Sequence, residues 1–285
     1  MLKRALCVGI NTFKNYPAAE LRGCLNDARN IGNMLQKVLG FSSQEITALT
    51  NEQATKANIM EELNRMVDWA KSRQEFCYLV FSLSTHGTHV PDVSGDEPDN
   101  ADEAFCPYDL TQKGDHWDLE HLIVDDELGS LMSRLPENSL CEVILDTCYS
   151  GTGLKAIDLL LDRKPRFLPP PSVIVCEALE KCKNRSVKDA VLESGGKNQI
   201  LWSASRFDQT SSDAKIGDEW NGAFTYYFCR AMLEDKARAP RLQILQEVRN
   251  QVVKPYQQTP QLECSSLLKK SSFGTPVGQP LSSGG

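Results

Sequence analysis

Long apolar runs are missing from this 285-residue chain, and no stretch approaches the roughly 20 residues that a membrane-spanning helix requires. The opening residues, MLKRALCVGINTF, contain neither the apolar core nor the small-residue cleavage site of a secretory leader. Together these absences lead us to expect a soluble, cytoplasmic protein with no membrane partner. No run of Lys or Arg is long enough to neutralise a phosphate backbone, and the formal net charge is −7, so nucleic acid is not an expected partner. Histidine is scarce, with four in all, and no pair of CxxC motifs is present, which argues against a zinc site. No internal repeat is visible.

Cysteine, by contrast, is plentiful. Cys7 in ALCVGI, Cys77 in EFCYLVF and Cys141 in LCEVIL lie inside apolar strand-like runs, where they read as small buried hydrophobes of a reducing compartment. With 41% hydrophobic residues the chain can bury one large core. We expect a single domain over residues 1–273, followed by a frayed tail at 274–285.

Short apolar runs alternate with segments of helical periodicity. RALCVGI (4–10) reads as a strand and CLNDARNIGNMLQKVLG (24–40) as a helix stopped by Gly40. EITALT (45–50) is a strand, 55–73 an amphipathic helix, and FCYLVFSLS (76–84) a third strand. After an acidic, turn-rich stretch at 88–118 come a helix at 125–135 and the strand CEVILDT (141–147); QILWSAS (199–205) and helices near 222–235 and 240–253 complete the order. Strands alternating with helices predict right-handed crossovers and a mainly parallel sheet covered on both faces, an α/β/α sandwich. Residues 152–198 are polar and basic and include RKPRFLPPP, so we expect a flexible linker inside the domain.

In open α/β sheets chemistry collects at the carboxyl ends of the strands. Two ends stand out: FSLSTHG, which carries His86 and Gly87, and ILDTCYSG, which carries Cys148. A thiol attacks as thiolate and needs a base within reach, which a histidine on a neighbouring strand end supplies. Backbone N–H groups at Gly87 and Cys148 would then stabilise the oxyanion that forms. Spacing alone leaves the plainer alternative open, a buried small residue and an unrelated histidine.

Three further stretches add to this. LRGCLNDA, STHGTHVPDVSGDEPDNADEAFCPYD and ILDTCYSGTG, in that order, closely resemble the metacaspases and their bacterial relatives among the caspase-like cysteine peptidases. The resemblance runs from ALCVGIN through SASRFDQTSSD to GAFTYYF. It implies a caspase-like three-layer fold and a His86–Cys148 dyad. It also implies a pocket of Cys24, Asp27, Ser84 and Asp146 for the residue before the cleaved bond, and a monomer. A carboxylate at the buried end of a strand needs a cationic or hydrogen-bonding partner, and a substrate Arg or Lys would serve for Asp146. Asp27 could equally be an acid favoured by the helix dipole. The expected substrates are thus proteins or peptides cut after Arg or Lys. The alternative is a catalytically silent interaction module, which intact His86 and Cys148 argue against.

Lys155, Arg163, Lys164 and Arg166 lie in the basic linker close to Cys148, and such segments are where nicking concentrates. Self-cleavage at one of them is expected, unless the linker is merely a solvated basic loop. The chemistry requires no cofactor. Asp92, Asp96, Glu97, Asp99, Asp102, Glu103 and Asp109 form an acidic stretch without the spacing of an EF-hand. The resemblance implies calcium as an activator held by Asp102, Asp125 and Asp126, but Lys155 stands where the family has a fourth acid. An ammonium there weakens any calcium affinity. Asp125 and Asp126 are also suited to a helix N-terminus, without metal.

Overall fold

The computed structural model describes residues 1–91, 101–148, 163–172, 198–206, 209–235 and 237–275. In chain order its strands are β1 (Leu2–Gly9), β2 (Ile46–Thr50), β3 (Cys77–Ser84), β4 (Gly87–Pro91), β5 (Ala101–Phe105), β6 (Gln112–Lys113), β7 (His116–Trp117), β8 (Ile123–Val124), β9 (Ser139–Asp146), β10 (Arg163–Pro165), β11 (Gln199–Ser203), β12 (Ser212–Ile216), β13 (Glu219–Gly222) and β14 (Gln261–Glu263). The main helices are α1 (Cys24–Leu39), α2 (Lys56–Lys71), α3 (Asp125–Ser133), α4 (Ala223–Glu234) and α5 (Arg241–Tyr256).

Six strands form the central sheet in the order β14-β11-β9-β3-β1-β2. Its pairings are parallel except at β14, which adds antiparallel to β11 at one edge. Strands β3 and β9 are buried along their whole length, the pattern of strands covered on both faces. One hydrophobic cluster joins Ile59, Leu63 and Val67 of α2 and Leu128 of α3 to Leu79, Phe81 and Val143. A second joins Ile31 and Leu35 of α1, Phe228 of α4 and Val248 of α5 to Val80, Ile144 and Trp202. Neighbouring residues of one strand thus enter opposite clusters, as the alternation of strand side chains requires. The three-layer α/β/α fold expected from the sequence is present.

Cys7, Cys77 and Cys141 are fully buried free thiols, as their apolar surroundings suggested. Among the described residues no helix is long and apolar enough to cross a membrane. The core also holds an ion pair that hydropathy conceals. Glu142 of β9 accepts from the Arg241 guanidinium, Trp202 Nε1 (2.8 Å) and Tyr78 Oη (3.2 Å), while Arg241 Nη1 donates to the carbonyls of Leu268, Ser271 and Ser272. Those bonds tie the C-terminal segment to the central strand.

One expectation changes. The acidic stretch carries β-structure where it is described: β4 and β5 pair antiparallel, and β5 continues onto β8. Within the linker, residues 163–165 form β10, paired antiparallel with β12. Lys155, Asp92, Asp96, Glu97, Asp99 and the tail from 276 lie outside the described residues.

Candidate active site

The parallel register puts Gly9, Ser84 and Asp146 side by side at the carboxyl ends of β1, β3 and β9. The sheet therefore aligns a carboxylate with the two neighbouring strand ends, and α1 starts just beyond. An added Cβ on Gly9 would lie 2.2 Å from the Cys24 carbonyl oxygen, so only glycine permits the helix to begin this close to the strand. Cys24, buried, donates its N–H to Asn11 Oδ1 (2.9 Å). That start of α1 points Asp27 inward, where it is fully buried.

Asp27, Asp146 and Asp213 converge on one guanidinium, that of Arg166. Arg166 Nη2 lies 2.6 Å from Asp27 Oδ2 and 3.0 Å from Asp213 Oδ1, and Nη1 lies 3.1 Å from Asp146 Oδ1. All four side chains are essentially without solvent exposure. Each carboxylate is also held by other donors. Asp146 accepts from Ser211 Oγ (2.6 Å), Thr225 N (3.0 Å) and Thr225 Oγ1 (2.7 Å); Asp27 accepts from Gly222 N (2.9 Å); Asp213 accepts from Arg22 N (2.8 Å) and Gly23 N (2.9 Å). Fixed carboxylates with one cation among them make a site for a bidentate base. Gly222 leaves the space for it, since a Cβ there would sit 2.2 Å from Asp146 Oδ2 and 2.6 Å from Arg166 Nη1.

Asp27 and Asp146 were expected to meet a substrate cation; the cation found here is the chain's own, that of Arg166. Asp213, Ser211 and Thr225 were not expected there: they lie 63 residues or more beyond Cys148 in sequence and reach the pocket through the segment leading into β12, the β12–β13 hairpin and the start of α4. The stretch SASRFDQTSSD contained the signal, a polar run followed by an acid, but no local pattern says which way that acid points. Ser84 is buried beside Asp146 in the register.

Arg166 is anchored by its backbone as well. Its carbonyl oxygen accepts from Gly87 N (2.9 Å) and Cys148 N (3.3 Å), and its own N–H donates to Ser211 O (3.0 Å). Beyond it, Leu168 N donates to Gly87 O (2.9 Å) and Phe167 bridges Gly87 in parallel. The segment 163–168 thus lies across the strand ends in extended form, held on one side by β12 and on the other by β4.

His86 stands beside this segment. Its Nε2 is 2.8 Å from the Ala19 carbonyl oxygen, which can only accept, so Nε2 carries the proton and Nδ1 is the basic nitrogen. Nδ1 is buried without a hydrogen-bond partner among the described residues. Burial pushes the His86 imidazole down to about 4 and the Cys148 thiol up to about 12. Both groups are therefore neutral at physiological pH while the segment is in place.

Burial also pushes the Asp27 carboxyl up to about 7, with Arg166 pulling it down and Asp146 pushing it further up. Withdrawing the guanidinium removes the largest downward influence and leaves only the Gly222 N–H against burial and Asp146, so the pocket holds its proton to a higher pH when empty than when filled. An entering cation must displace that proton in the range above about pH 7, and its binding tightens as pH rises there. On the Arg preference that the family resemblance implies, kcat/KM for peptides ending in Arg should climb from pH 7 upward, and Asp27→Asn should flatten the slope. An equally steep slope in the variant would assign the titration to another group.

Of the three acids implied for calcium, Asp102 is buried on β5 and Asp125 is buried at the first position of α3, where its Oδ1 accepts from Asp126 N (3.1 Å). The register Ala104↔Val124 brings those two stretches together. Asp109 is committed elsewhere, accepting from Lys56 N (2.9 Å) and lying 3.1 Å from His121 Nδ1. Among the described residues no group of three or more His, Cys, Asp or Glu side chains is arranged to hold a metal ion.

This arrangement can be set beside known proteins. The Peptidase C14 caspase-domain family matches residues 2–272. The chain belongs to that family. Metacaspase-1A of Aspergillus oryzae is 31% identical over 296 residues, covering 92% of this chain and 68% of the relative. Metacaspase-1A of Aspergillus fumigatus is 30% identical over the same shares. Among solved structures, a Geobacter sulfurreducens protein superposes with a TM-score of 0.65 at 23% identity, over 97% of this chain and 99% of that one. Caspase-1 of Spodoptera frugiperda gives 0.58 at 12% identity, over 92% and 86%. The superpositions show the caspase-like fold; membership of the family makes this caspase-domain protein a cysteine-type peptidase acting on proteins.

Proposed function

We propose that this caspase-domain peptidase cuts polypeptides after Arg, and after Lys more slowly, and that it cuts its own chain after Arg166. The supporting observation is the seating of Arg166: its side chain fills the three-carboxylate pocket while its carbonyl oxygen receives N–H groups from both Gly87 and Cys148. That is the pose of a residue immediately before a bond under attack.

In the proposed reaction His86 Nδ1 takes the Cys148 proton as Sγ attacks the carbonyl carbon, and the carbonyl electrons move onto the oxygen held by Gly87 and Cys148. Collapse expels the following amine, which receives the proton from His86, and leaves a thioester on Cys148. Water, deprotonated by the same nitrogen, then releases the new carboxyl terminus and regenerates the thiol. Ala19 O keeps the imidazole in the tautomer that makes Nδ1 the base throughout.

No step requires a cofactor. With Lys155 replacing a family acid, Asp102, Asp125 and Asp126 would at best hold calcium weakly as an activator. The buried free thiols support a reducing compartment such as the cytoplasm, and a monomer is the proposed unit.

The test is a reporter panel that differs in the final residue. Arg should exceed Lys by about tenfold in kcat/KM, because the two terminal guanidinium nitrogens address different carboxylates and an ammonium cannot span them. Asp should not be cut, and activity should persist in chelator. Cleavage after Asp, or none after Arg, would overturn the assignment.

A further inference from the structure

The segment lying in the cleft carries a second guanidinium with its own binding surface. Arg163 precedes Arg166 by three residues and is paired with Ala214 in the β10–β12 register. Its guanidinium carbon sits 4.5 Å from the centre of the Tyr256 ring, and its Nη1 donates to the Pro255 carbonyl oxygen at 2.6 Å. Both partners belong to the last turn of α5.

Three physical features make this a place for a cation. The carbonyls of a helix's final turn have no partner within the helix, and they carry the negative end of its dipole. The chain leaves α5 at Gln257 in the left-handed region (φ 55°), whose N–H takes the Val253 carbonyl, so the Pro255 carbonyl faces the segment instead. The Tyr256 ring is half-buried and packs against the Tyr227 ring of α4, with ring centres 6.3 Å apart and planes tilted by 55°, so it offers a fixed face to a planar cation. Arg163 is partly exposed, in contrast to fully buried Arg166.

On the reading that Arg166 marks the residue before the cleaved bond, we propose that Tyr256 and the Pro255 carbonyl form a second specificity subsite. It selects a guanidinium three residues upstream of the cleaved Arg, in foreign substrates as well as in the chain itself. The β-pairing with β12 fixes the spacing, because an extended strand delivers its side chains at set intervals along the cleft. The preferred sequence then has basic residues at both ends of a four-residue stretch, as in Arg163-Lys164-Pro165-Arg166.

Two reporters, Arg-Lys-Pro-Arg and Ala-Lys-Pro-Arg, test this on the full chain. We expect the first to be cut with a kcat/KM about 5- to 30-fold higher. In Tyr256→Ala that ratio should fall to about 3 or less, and in Tyr256→Phe, which keeps the aromatic face and the fold, it should survive. Equal hydrolysis of both reporters by the wild type overturns the subsite and leaves the peptidase intact. A ratio unchanged in Tyr256→Ala overturns the role of the ring. Hydrolysis of neither reporter overturns the peptidase reading on which the subsite rests.

Discussion

Cys148→Ala should abolish hydrolysis of Arg-ending reporters, lowering kcat at least about 10⁴-fold, and should leave the purified chain as one uncut polypeptide. Alanine removes the sulfur assigned to the acyl intermediate in the proposed reaction while keeping the Cys148 N–H that, with Gly87, faces the Arg166 carbonyl. Cys148 is fully buried and contributes little volume, so the variant should fold and retain the segment in the cleft. A gel and a reporter assay on the same preparation read both outcomes. If self-scission stops while reporter hydrolysis continues, a second nucleophile or a contaminating peptidase is at work. If both continue, Cys148 is not the nucleophile.

Arg166→Gln should remove self-scission between residues 166 and 167 altogether. Intact-mass measurement of the wild type should give fragments 1–166 and 167–285, and the variant should give neither. Glutamine keeps the backbone that pairs with Ser211, Gly87 and Cys148 but supplies no charge to Asp27, Asp146 and Asp213. Removing the cation from a fully buried cluster costs up to about 3–5 kcal/mol, and proton uptake at Asp27 relieves part of that. The variant should therefore melt lower than the wild type, and less so as pH falls. Its cleft is then held more weakly by the segment, and foreign Arg reporters should be cut without prior scission. A wild-type fragment ending at Arg163 or Lys164 would show that the segment shifts register before it is cut. A variant that still yields a fragment ending at position 166 would show that the three-carboxylate pocket does not choose the bond.

Both predictions depend on the cleft being filled by the chain it belongs to. Burial keeps the Cys148 thiol and the His86 imidazole neutral in that state. Departure of the segment after scission would expose both to water, lower the thiol toward its ordinary range and raise the imidazole toward its own. Activation on this view is local: it removes a strand lying across the ends of a sheet that is already formed.

The sequence by itself determined the layers of this protein. Periodicities of two and of 3.6 residues are written locally, so the alternation of strands such as 77–84 with helices such as 56–71 was legible, and with it the end of the sheet where His86, Gly87, Asp146 and Cys148 had to lie. The motifs around those residues carried the family. Other features depended on side chains distant in sequence. Asp213 enters the pocket from a hairpin that nothing near Cys148 announces, and Glu142 sits in an apolar strand because Arg241, 99 residues later, meets it. Arg166 was visible as one of several bases in a polar linker. Whether it lay in solvent or in the cleft was decided by tertiary contacts alone: three buried carboxylates outweigh the hydration of one guanidinium, and the N–H groups of Gly87 and Cys148 donate to its carbonyl oxygen and fix it.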